Sequence, residues 1–173
     1  MALVNDTLAF IGCGTMAEAM VKGLLRDRLV RPDQVLGSHP RPDRRRELED
    51  RYGIRTTGDN AAAASEASVV ALTVKPQFLD EVLGDLRGHL GREVLVMSIV
   101  AGARLERLVR ALATPAVVRA MPNTPGQIGR GITVWTTTAE VDDGARTRAR
   151  AILGALGSEE LVRKAFAKAR NYG

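Results

Sequence analysis

The sequence predicts an α/β fold built on a doubly wound, mostly parallel sheet with flanking helices. Short runs rich in aliphatic and β-branched residues recur along the chain, and segments with helical apolar spacing lie between them. The runs are continuously apolar rather than alternating, which is typical of strands covered by helices on both faces. The 173 residues, 45% of them hydrophobic, are enough for one domain with a full core.

The elements follow one another in a regular order. The predicted strands are LAFIG, QVLGS, VVALTV, EVLVMSIV, AVVRAM and GITVWTT. Helices are predicted between them because apolar residues recur there every three to four positions. Gly53 after the second helix is typical of a helix end. The predicted helices are residues 16–28, 42–52, 61–65, 76–90 and 104–112.

The end of the sequence is predicted as two helical pieces that meet at Gly157-Ser158. The second piece is basic, and its apolar residues, which include Leu161, Val162 and Phe166, recur at helical spacing. We therefore expect residues 157–173 to form a C-terminal helical tail.

A glycine-rich turn, in the stretch FIGCGTMAEAM, joins the first predicted strand to the first predicted helix. Gly12 allows a tight turn, Gly14 lets a ligand approach the backbone, and the small Ala17 allows close packing of helix on strand. The first N–H groups of the helix, at Thr15 and Met16, can bind an anion. This pattern is typical of Rossmann-type domains and predicts a dinucleotide. The alternative is a glycine-rich turn without a ligand.

The residues after the second predicted strand indicate which dinucleotide binds. NAD-specific sites usually have an Asp or Glu there, whereas this sequence has Ser38, His39 and Arg41. Three arginines, 44–46, fall in the first turn of the next helix, where cations are unfavourable unless an anion lies nearby. We therefore expect Ser38 and Arg41, with His39 or Arg44, to hold the 2′-phosphate of NADP. The alternative is a solvated helix face balanced by acidic neighbours.

Three further stretches lie at predicted strand ends, where an open α/β sheet binds its ligand. Pro76 and Pro122 fix the chain direction there, and Asn123 and Thr124 supply short polar groups for an amide or a ribose. Ordinary turn formation and helix capping are the alternative for each. The stretches are TVKPQ at 73–77, SIVAG at 98–102 and RAMPNTPGQIGRG at 119–131.

Composition argues against several other classes of protein. The net charge of +5 attracts anions, but an aromatic content of 3% leaves few side chains to stack on bases, so we expect no nucleic-acid partner. A single cysteine, Cys13, argues against disulfides and thiolate metal sites, and we expect no bound metal. Because no apolar run is long enough to span a membrane and no secretion signal is evident, we expect a cytoplasmic protein.

Four stretches together closely resemble pyrroline-5-carboxylate reductase, over residues 8–156. The stretch with MPNTP, at 121–125, is the most specific of them, since many dehydrogenases share the glycine turn. The resemblance implies an NADP-binding Rossmann domain over residues 1–156 and NADPH-dependent reduction of 1-pyrroline-5-carboxylate to L-proline, the last step of proline biosynthesis. The four stretches are FIGCGTMAEAM, GDNAAAASEASVVALTVKPQ, VMSIVAG and RAMPNTPGQIGRG.

The resemblance also implies where each part of NADP(H) binds. His39-Pro40 stands where many relatives have an Asn-Arg pair, and Arg41 is the candidate replacement for that arginine. No catalytic residue is assigned, although Lys75 is a better-placed cation than either histidine. The implied contacts are Gly12, Gly14, Thr15, Met16 and Ala17 with the diphosphate; Ser38, His39 and Arg41 with the adenosine phosphate; Asn60 with the adenosine ribose; Val74, Lys75 and Pro76 with the nicotinamide ribose; and Ala101 and Asn123 with the nicotinamide.

The resemblance further implies a second, helical domain that forms the dimer and covers the nicotinamide with a Ser/Thr- and Gly-rich loop. The residues after Gly157 do not match that loop. We therefore expect this chain to supply the cofactor-binding domain for a small-molecule substrate, as a monomer or weak homo-oligomer. The alternatives are a non-catalytic NADP-binding or regulatory module, or a related NADP-dependent reductase with a different substrate, such as the deazaflavin-dependent NADP reductases.

Overall fold

The computed structural model describes residues 2–162, which fold into one eight-stranded sheet between two layers of helices. The strands are β1 Leu8–Ile11, β2 Val35–Ser38, β3 Arg55–Thr57, β4 Val69–Leu72, β5 Leu95–Ser98, β6 Val117–Met121, β7 Gly131–Thr137 and β8 Gly157–Leu161. The helices are α1 Thr15–Arg26, α2 Pro42–Tyr52, α3 Asn60–Glu66, α4 Leu79–Leu86, α5 Leu105–Leu112 and α6 Asp143–Gly154. This architecture confirms the predicted doubly wound, mostly parallel α/β sheet.

The sheet reverses its direction of growth between two central strands. Its order is β3-β2-β1-β4-β5-β6-β7-β8. The strands β2 and β3 therefore lie on one side of β1, and β4 to β8 lie in sequence order on its other side. Strands β1 to β6 run parallel, β7 runs antiparallel to β6, and β8 runs parallel to β7. Such a reversal opens a crevice at the carboxyl ends of β1 and β4, where doubly wound sheets bind ligands.

Each face of the sheet has its own apolar core. Phe10 and Trp135 lie on the face covered by α1, α2 and α6. Ile11 and Leu72 lie on the opposite face, which is covered by α3, α4 and α5. Successive strand residues point to opposite faces, so strands buried on both sides must be apolar at every position. This explains why β1, β4 and β5 lack an alternating pattern.

The helices begin and end at residues suited to those positions. The side chain of Asp59 accepts a hydrogen bond from the N–H of Ala62 at the start of α3, and Asp142 accepts one from Ala145 at the start of α6. Pro42 is the first residue of α2, and Gly53 ends that helix in the left-handed conformation. These caps satisfy backbone groups that would otherwise lack partners.

The predicted helical tail is wrong over residues 157–161, which form the strand β8. Gly157 has φ of +127°, and a Cβ at this position would overlap the carbonyl oxygen of Gly131. This position in the strand therefore requires glycine. Trp135 in β7 donates from Nε1 to Glu159 of β8 at 2.6 Å. This side-chain hydrogen bond joins the two strands in addition to their backbone pairing. The helical propensity of the Glu-rich sequence is therefore overridden by pairing with β7. The rest of the predicted tail, residues 163–173, lies outside the described residues.

Two further elements differ from the sequence prediction. The strand β3 was not predicted, because Arg55–Thr57 is polar and lies at the sheet edge. The helix expected over residues 76–90 begins as a 3₁₀ turn at Pro76–Phe78, continues as α4 and ends at Leu86. Within residues 2–162, no helix has the length and apolar character needed to cross a membrane.

Candidate dinucleotide-binding site

The glycine turn between β1 and α1 lies at the crevice where the sheet reverses direction. The N–H groups of Gly12 and Cys13 both donate to the carbonyl oxygen of Ser38, at 3.0 and 2.8 Å. Gly12 has φ of +84°, and a Cβ there would overlap Cγ1 of Val74, which follows β4. The turn therefore requires glycine at position 12 both for its backbone conformation and for its contact with the neighbouring loop.

A second residue after β4 holds this turn in place. Thr73 contacts the carbonyl oxygens of Ile11 and Gly12 through Oγ1, at 2.9 and 3.0 Å, and its N–H donates to Ile11. Thr73 belongs to the predicted strand-end stretch at 73–77, but no role was predicted for it. The only sequence signal is a hydroxyl residue directly after an apolar strand.

The start of α1 is arranged to receive an anion. Gly14 is the residue before the helix, and its carbonyl oxygen accepts the first helical hydrogen bond, from Glu18 at 2.9 Å. The N–H groups of residues 15–17 have no acceptor within the helix, because an α-helix leaves its first donors unsatisfied. A Cβ on Gly14 would meet only the carbonyl oxygen of Gly12, at 4.0 Å, so the approach to these donors is open. This geometry fits the diphosphate of a dinucleotide.

The carboxyl ends of β2 and β3 lie beside this turn, and His39, Arg41 and Arg45 form a positively charged region there, which we call the basic corner. Arg45 donates to the carbonyl oxygens of His39 and Pro40, at 2.8 and 3.1 Å. Burial lowers the pKa of His39, and the charges of Arg44 and Arg41 lower it further, as expected in a region of positive potential. A phosphate fits this corner, because its negative charge would offset the positive charges of the arginines there.

Arg41 lies at the surface of the basic corner. Its guanidinium pairs with Asp43 at 2.5 Å, and this hydrogen bond lowers the pKa of Asp43 to about 2. A phosphate at Arg41 would therefore compete with a carboxylate for the same donor. The predicted replacement arginine is present at the expected position, but it has a partner within its own turn.

Ser38 and Asn60, two other predicted contacts, bind each other. The hydroxyl of Ser38, which is 1% exposed, donates to Oδ1 of Asn60 at 2.5 Å. The amide of Asn60 then donates to Asp85 at 3.2 Å. The structure thus places the Ser38 side chain beneath Asn60 rather than at the surface of the basic corner. Burial of this hydroxyl could not be predicted from the sequence, since it depends on the alignment of β2 with α3.

Arg44 faces α1 instead of the basic corner. It donates to Glu18 at 2.5 Å, to Glu47 at 2.9 Å and to the carbonyl oxygen of Cys13 at 3.3 Å. The sequence left open two partners for this first-turn arginine, an anionic ligand or acidic neighbours on its own helix. Its observed partners are two glutamates: Glu47 on the same helix, as the alternative predicted, and Glu18, which lies 26 positions earlier in the chain. Arg44 therefore stabilises the glycine turn through its hydrogen bond to the carbonyl oxygen of Cys13.

The remaining predicted contacts lie along the same edge, after β4, β5 and β6. Val74 contacts Gly12, while Lys75, Pro76 and Ala101 are exposed. Asn123, which follows Met121-Pro122, accepts from the N–H of Ile132 through Oδ1 at 2.9 Å. That bond ties the MPNTP stretch to β7. The structure therefore brings together on one edge the glycine turn, the basic corner and the predicted nicotinamide end.

Neither histidine lies at the predicted nicotinamide end. His39 lies in the basic corner, and the N–H of His89 donates to Leu86 at the far end of α4. The described part of the chain has no group of three or more His, Cys, Asp or Glu side chains placed to hold a metal ion. Burial raises the pKa of the Cys13 thiol to about 12, although the charge of Arg44 opposes this shift. The thiol packs against Gly37 and is a core group.

Comparison with known proteins agrees with this geometry. Pyrroline-5-carboxylate reductase from Synechocystis sp. is 38% identical over 151 residues, which are 87% of this chain and 56% of that protein. The structure of a pyrroline-5-carboxylate reductase from Coxiella burnetii matches with a TM-score of 0.88 and 30% identity, over 92% of this chain and 60% of that one. The Plasmodium falciparum enzyme, crystallised with NADP bound, shares the fold with a TM-score of 0.80 at 21% identity, over 91% of this chain and 58% of that one.

The chain thus spans little more than half the length of the relatives it matches. The predicted resemblance to pyrroline-5-carboxylate reductase is confirmed, and it covers 56% to 60% of the length of these two relatives. A family model also matches residues 7–102, more than half of this chain, and includes both β1 with its glycine turn and β4. The chain therefore belongs to the family described as NADP oxidoreductase, coenzyme F420-dependent.

Proposed function

We propose that this chain binds NADPH as the cofactor domain of a reductase that converts 1-pyrroline-5-carboxylate to L-proline. The observation that carries this proposal is the open glycine turn at the β1–β4 crevice, with the basic corner on one side and the MPNTP stretch on the other. An alignment over 151 of the 173 residues necessarily includes residues 119–131, so the likeness to these reductases extends beyond the common dinucleotide half.

Residues 1–156 supply the cofactor contacts in this proposal, with residues 157–161 completing the sheet. The N–H groups of residues 15–17 bind the diphosphate, and Gly12 and Gly14 keep the backbone accessible. The Thr73 hydroxyl and the Arg44 guanidinium contact backbone carbonyls of the turn and hold it in position.

The basic corner selects the phosphorylated cofactor. Arg41 exchanges its Asp43 partner for the 2′-phosphate, and Arg45 and His39 lie close enough to contribute positive potential and a hydrogen bond. Asn60, positioned by Ser38, contacts the adenosine ribose. An NAD-specific site would instead present a carboxylate to the ribose hydroxyls.

The opposite end of the edge holds the nicotinamide. Bound NADPH supplies the hydride that reduces the imine carbon of the substrate. Val74, Pro76 and Ala101 form an apolar wall for the nicotinamide and its ribose, and Asn123 offers its amide to the nicotinamide carboxamide. Lys75 is exposed beside this wall and is placed to attract the carboxylate of the substrate.

Cofactor preference is tested by titrating the chain with NADPH and with NADH under identical salt conditions. NADPH should bind about 10- to 100-fold more tightly, since one or two charge-assisted hydrogen bonds distinguish them. Arg41→Ala should remove most of that difference while leaving NADH affinity unchanged. Equal affinities for both dinucleotides in the unsubstituted chain would contradict the role given to the basic corner.

The reaction is tested by following NADPH oxidation with and without 1-pyrroline-5-carboxylate. Substrate-dependent oxidation supports the proposed reductase, and oxidation with other imines but not this one indicates a related reductase. Tight NADPH binding without oxidation supports the alternative, a non-catalytic NADP-binding or regulatory module. The binding and reaction assays thus separate the cofactor proposal from the substrate proposal.

We further propose that the chain works in the cytoplasm as a monomer or weak homo-oligomer. The buried thiol of Cys13 suits a reducing compartment, because it has no disulfide partner within the sequence. Sedimentation equilibrium over a wide concentration range measures the oligomeric state. A stable dimer at low micromolar concentration would contradict this part of the proposal.

A further inference from the structure

A groove lies at the far end of α1, between that helix, the segment before β2 and the end of α2. It has a volume of about 700 Å³. Its lining includes Lys22 and Leu25 from α1, Arg28 from the following turn, and Tyr52 from α2. We refer to it as the α1–α2 groove. The helix α1 has 12 residues and begins at the glycine turn, so its far end lies roughly 15 Å or more away from that turn.

Cations dominate the charge of this groove. Five basic side chains line it, and three of them are paired with acids: Arg26 with Asp27, Arg31 with Asp33, and Arg51 with Glu18 and Glu47. Lys22 and Arg28 form no ion pair with any residue in the range 2–162. Among residues 2–162, no acidic side chain lines the groove itself. The groove therefore has an excess of positive charge available to a ligand.

The surface between these cations is apolar. Leu25 and Leu29 are partly buried against the core, and Val30 is 6% exposed. Tyr52 lines the groove and contributes an aromatic surface, and its hydroxyl donates to Glu18 at 2.6 Å. A ligand that fills this groove must combine a negative group with an apolar or aromatic one.

The backbone of Arg28 is held in an unfavourable conformation. Its φ is +55°, in the left-handed region that favours glycine. The turn is fixed by hydrogen bonds from Leu29 to Leu24 at 2.9 Å and from Arg28 to Leu25 at 3.1 Å, the usual arrangement after a helix. An arginine at a position that glycine would stabilise is a feature associated with functional sites.

We infer that the α1–α2 groove binds a small organic anion in which a carboxylate or phosphate group is joined to an apolar or aromatic skeleton. Arg28 and Lys22 bind the anionic group, and the surface formed by Leu25, Leu29 and Tyr52 binds the skeleton. This site is separate from the proposed NADPH site, and its occupation does not depend on that proposal.

The test is to titrate the chain with phenyl phosphate and record amide chemical shifts. Saturable shifts are expected at Leu25, Arg28 and Leu29, with the glycine-turn amides unaffected. Inorganic phosphate should bind more weakly because it lacks the apolar part, and phenol should bind more weakly because it lacks the charge. Benzoate in place of phenyl phosphate then shows whether the groove prefers a carboxylate.

Substitution of Arg28 separates binding from folding. Arg28→Gly removes the cation and relieves the left-handed conformation, so the Tm should rise by about 2 °C while phenyl phosphate affinity falls about tenfold. Ala113→Gly is the matched control, since Ala113 has φ of +51° after α5, outside the groove. It should raise the Tm to a similar extent and leave phenyl phosphate affinity unchanged.

A second variant, Lys22→Gln, should weaken phenyl phosphate without altering the backbone. The inference is overturned if phenyl phosphate produces no saturable shifts at the groove. It is also overturned if Arg28→Gly and Lys22→Gln bind phenyl phosphate as well as the unsubstituted chain does.

Discussion

The carboxylate of Glu18 lies 2.5 Å from the guanidinium of Arg44, and this ion pair joins the first turn of α1 to α2. The same carboxylate accepts hydrogen bonds from Arg51 and Tyr52, each at 2.6 Å. Arg44 in turn reaches the carbonyl oxygen of Cys13 in the glycine turn. Glu18 therefore connects the proposed cofactor site to α2, the helix that follows the basic corner.

Glu18→Gln should destabilise the fold, and its effect should depend on pH. Burial opposes ionisation of Glu18, but hydrogen bonds from Tyr52, Arg44 and Arg51 outweigh it and lower the pKa to about 2. A lowered pKa contributes stability above the ordinary value near 4.5, and this is lost as the pH falls towards 2. Urea denaturation should show a loss of about 1–3 kcal/mol at pH 7 that shrinks towards pH 2. Glu93→Gln, at an exposed position, serves as control; a Glu18→Gln penalty independent of pH contradicts the assignment.

Gly12→Ala should damage both stability and NADPH binding. Alanine is strained at φ of +84°, and its Cβ would overlap Val74. We expect a loss of at least about 2 kcal/mol in the free energy of unfolding, and NADPH affinity too weak to measure by calorimetry. Gly84→Ala is the control, because Gly84 is exposed within α4 and a Cβ there meets nothing within 4 Å. A fully stable Gly12→Ala variant would contradict the backbone strain assigned to this turn.

His39 should report the 2′-phosphate through its pKa. Burial, Arg44 and Arg41 lower this pKa in the chain alone, and a bound phosphate would oppose the effect of the two arginines. Imidazole NMR titration should therefore show a higher pKa for His39 with NADP⁺ than with NAD⁺. The sequence has two histidines, so the signal of His89, at the far end of α4, is an internal reference. The same His39 pKa with both dinucleotides would place the phosphate elsewhere.

Cys13 should be unreactive while the chain is folded. A thiol with a pKa of about 12 carries about 1000-fold less thiolate at neutral pH than one with its ordinary value of 9.0. Alkylation by iodoacetamide should therefore be at least about 1000-fold slower in buffer than in denaturing urea. Rapid alkylation of the folded chain would contradict the burial of the Cys13 side chain.

The parts of the fold that were predictable are those encoded by local chemistry. The β1 strand and its glycine turn were predicted, because a continuously apolar run followed by a residue that must adopt positive φ has few other interpretations. The strands β3 and β8 were not recognised, because both are polar and depend on pairing with β2 and β7. Sequence propensity at Gly157–Leu161 favours a helix, and only the partner strand reverses that preference.

The candidate site likewise has features that local sequence predicts and features that depend on distant parts of the chain. The positions of Gly12, Gly14 and Asn123 follow from their places at strand ends, which the order of elements already gives. The pairing of Ser38 with Asn60 and of Arg44 with Glu18 could not be predicted, since these partners lie 22 and 26 positions away along the chain. Such contacts are set by how helices pack on the sheet, and a single sequence carries no direct signal of that packing.

The contact between Cys13 and Gly37 links two positions that are far apart in the sequence. A Cβ at Gly37 would lie 3.3 Å from the sulfur, so the Cys13 side chain occupies space that a side chain at position 37 would need. The residues acceptable at one position are consequently constrained by the other, and we expect a larger residue at 37 to be better accepted when the side chain at 13 is smaller. A library randomised at both sites and sorted for folded protein should enrich pairs of constant combined volume.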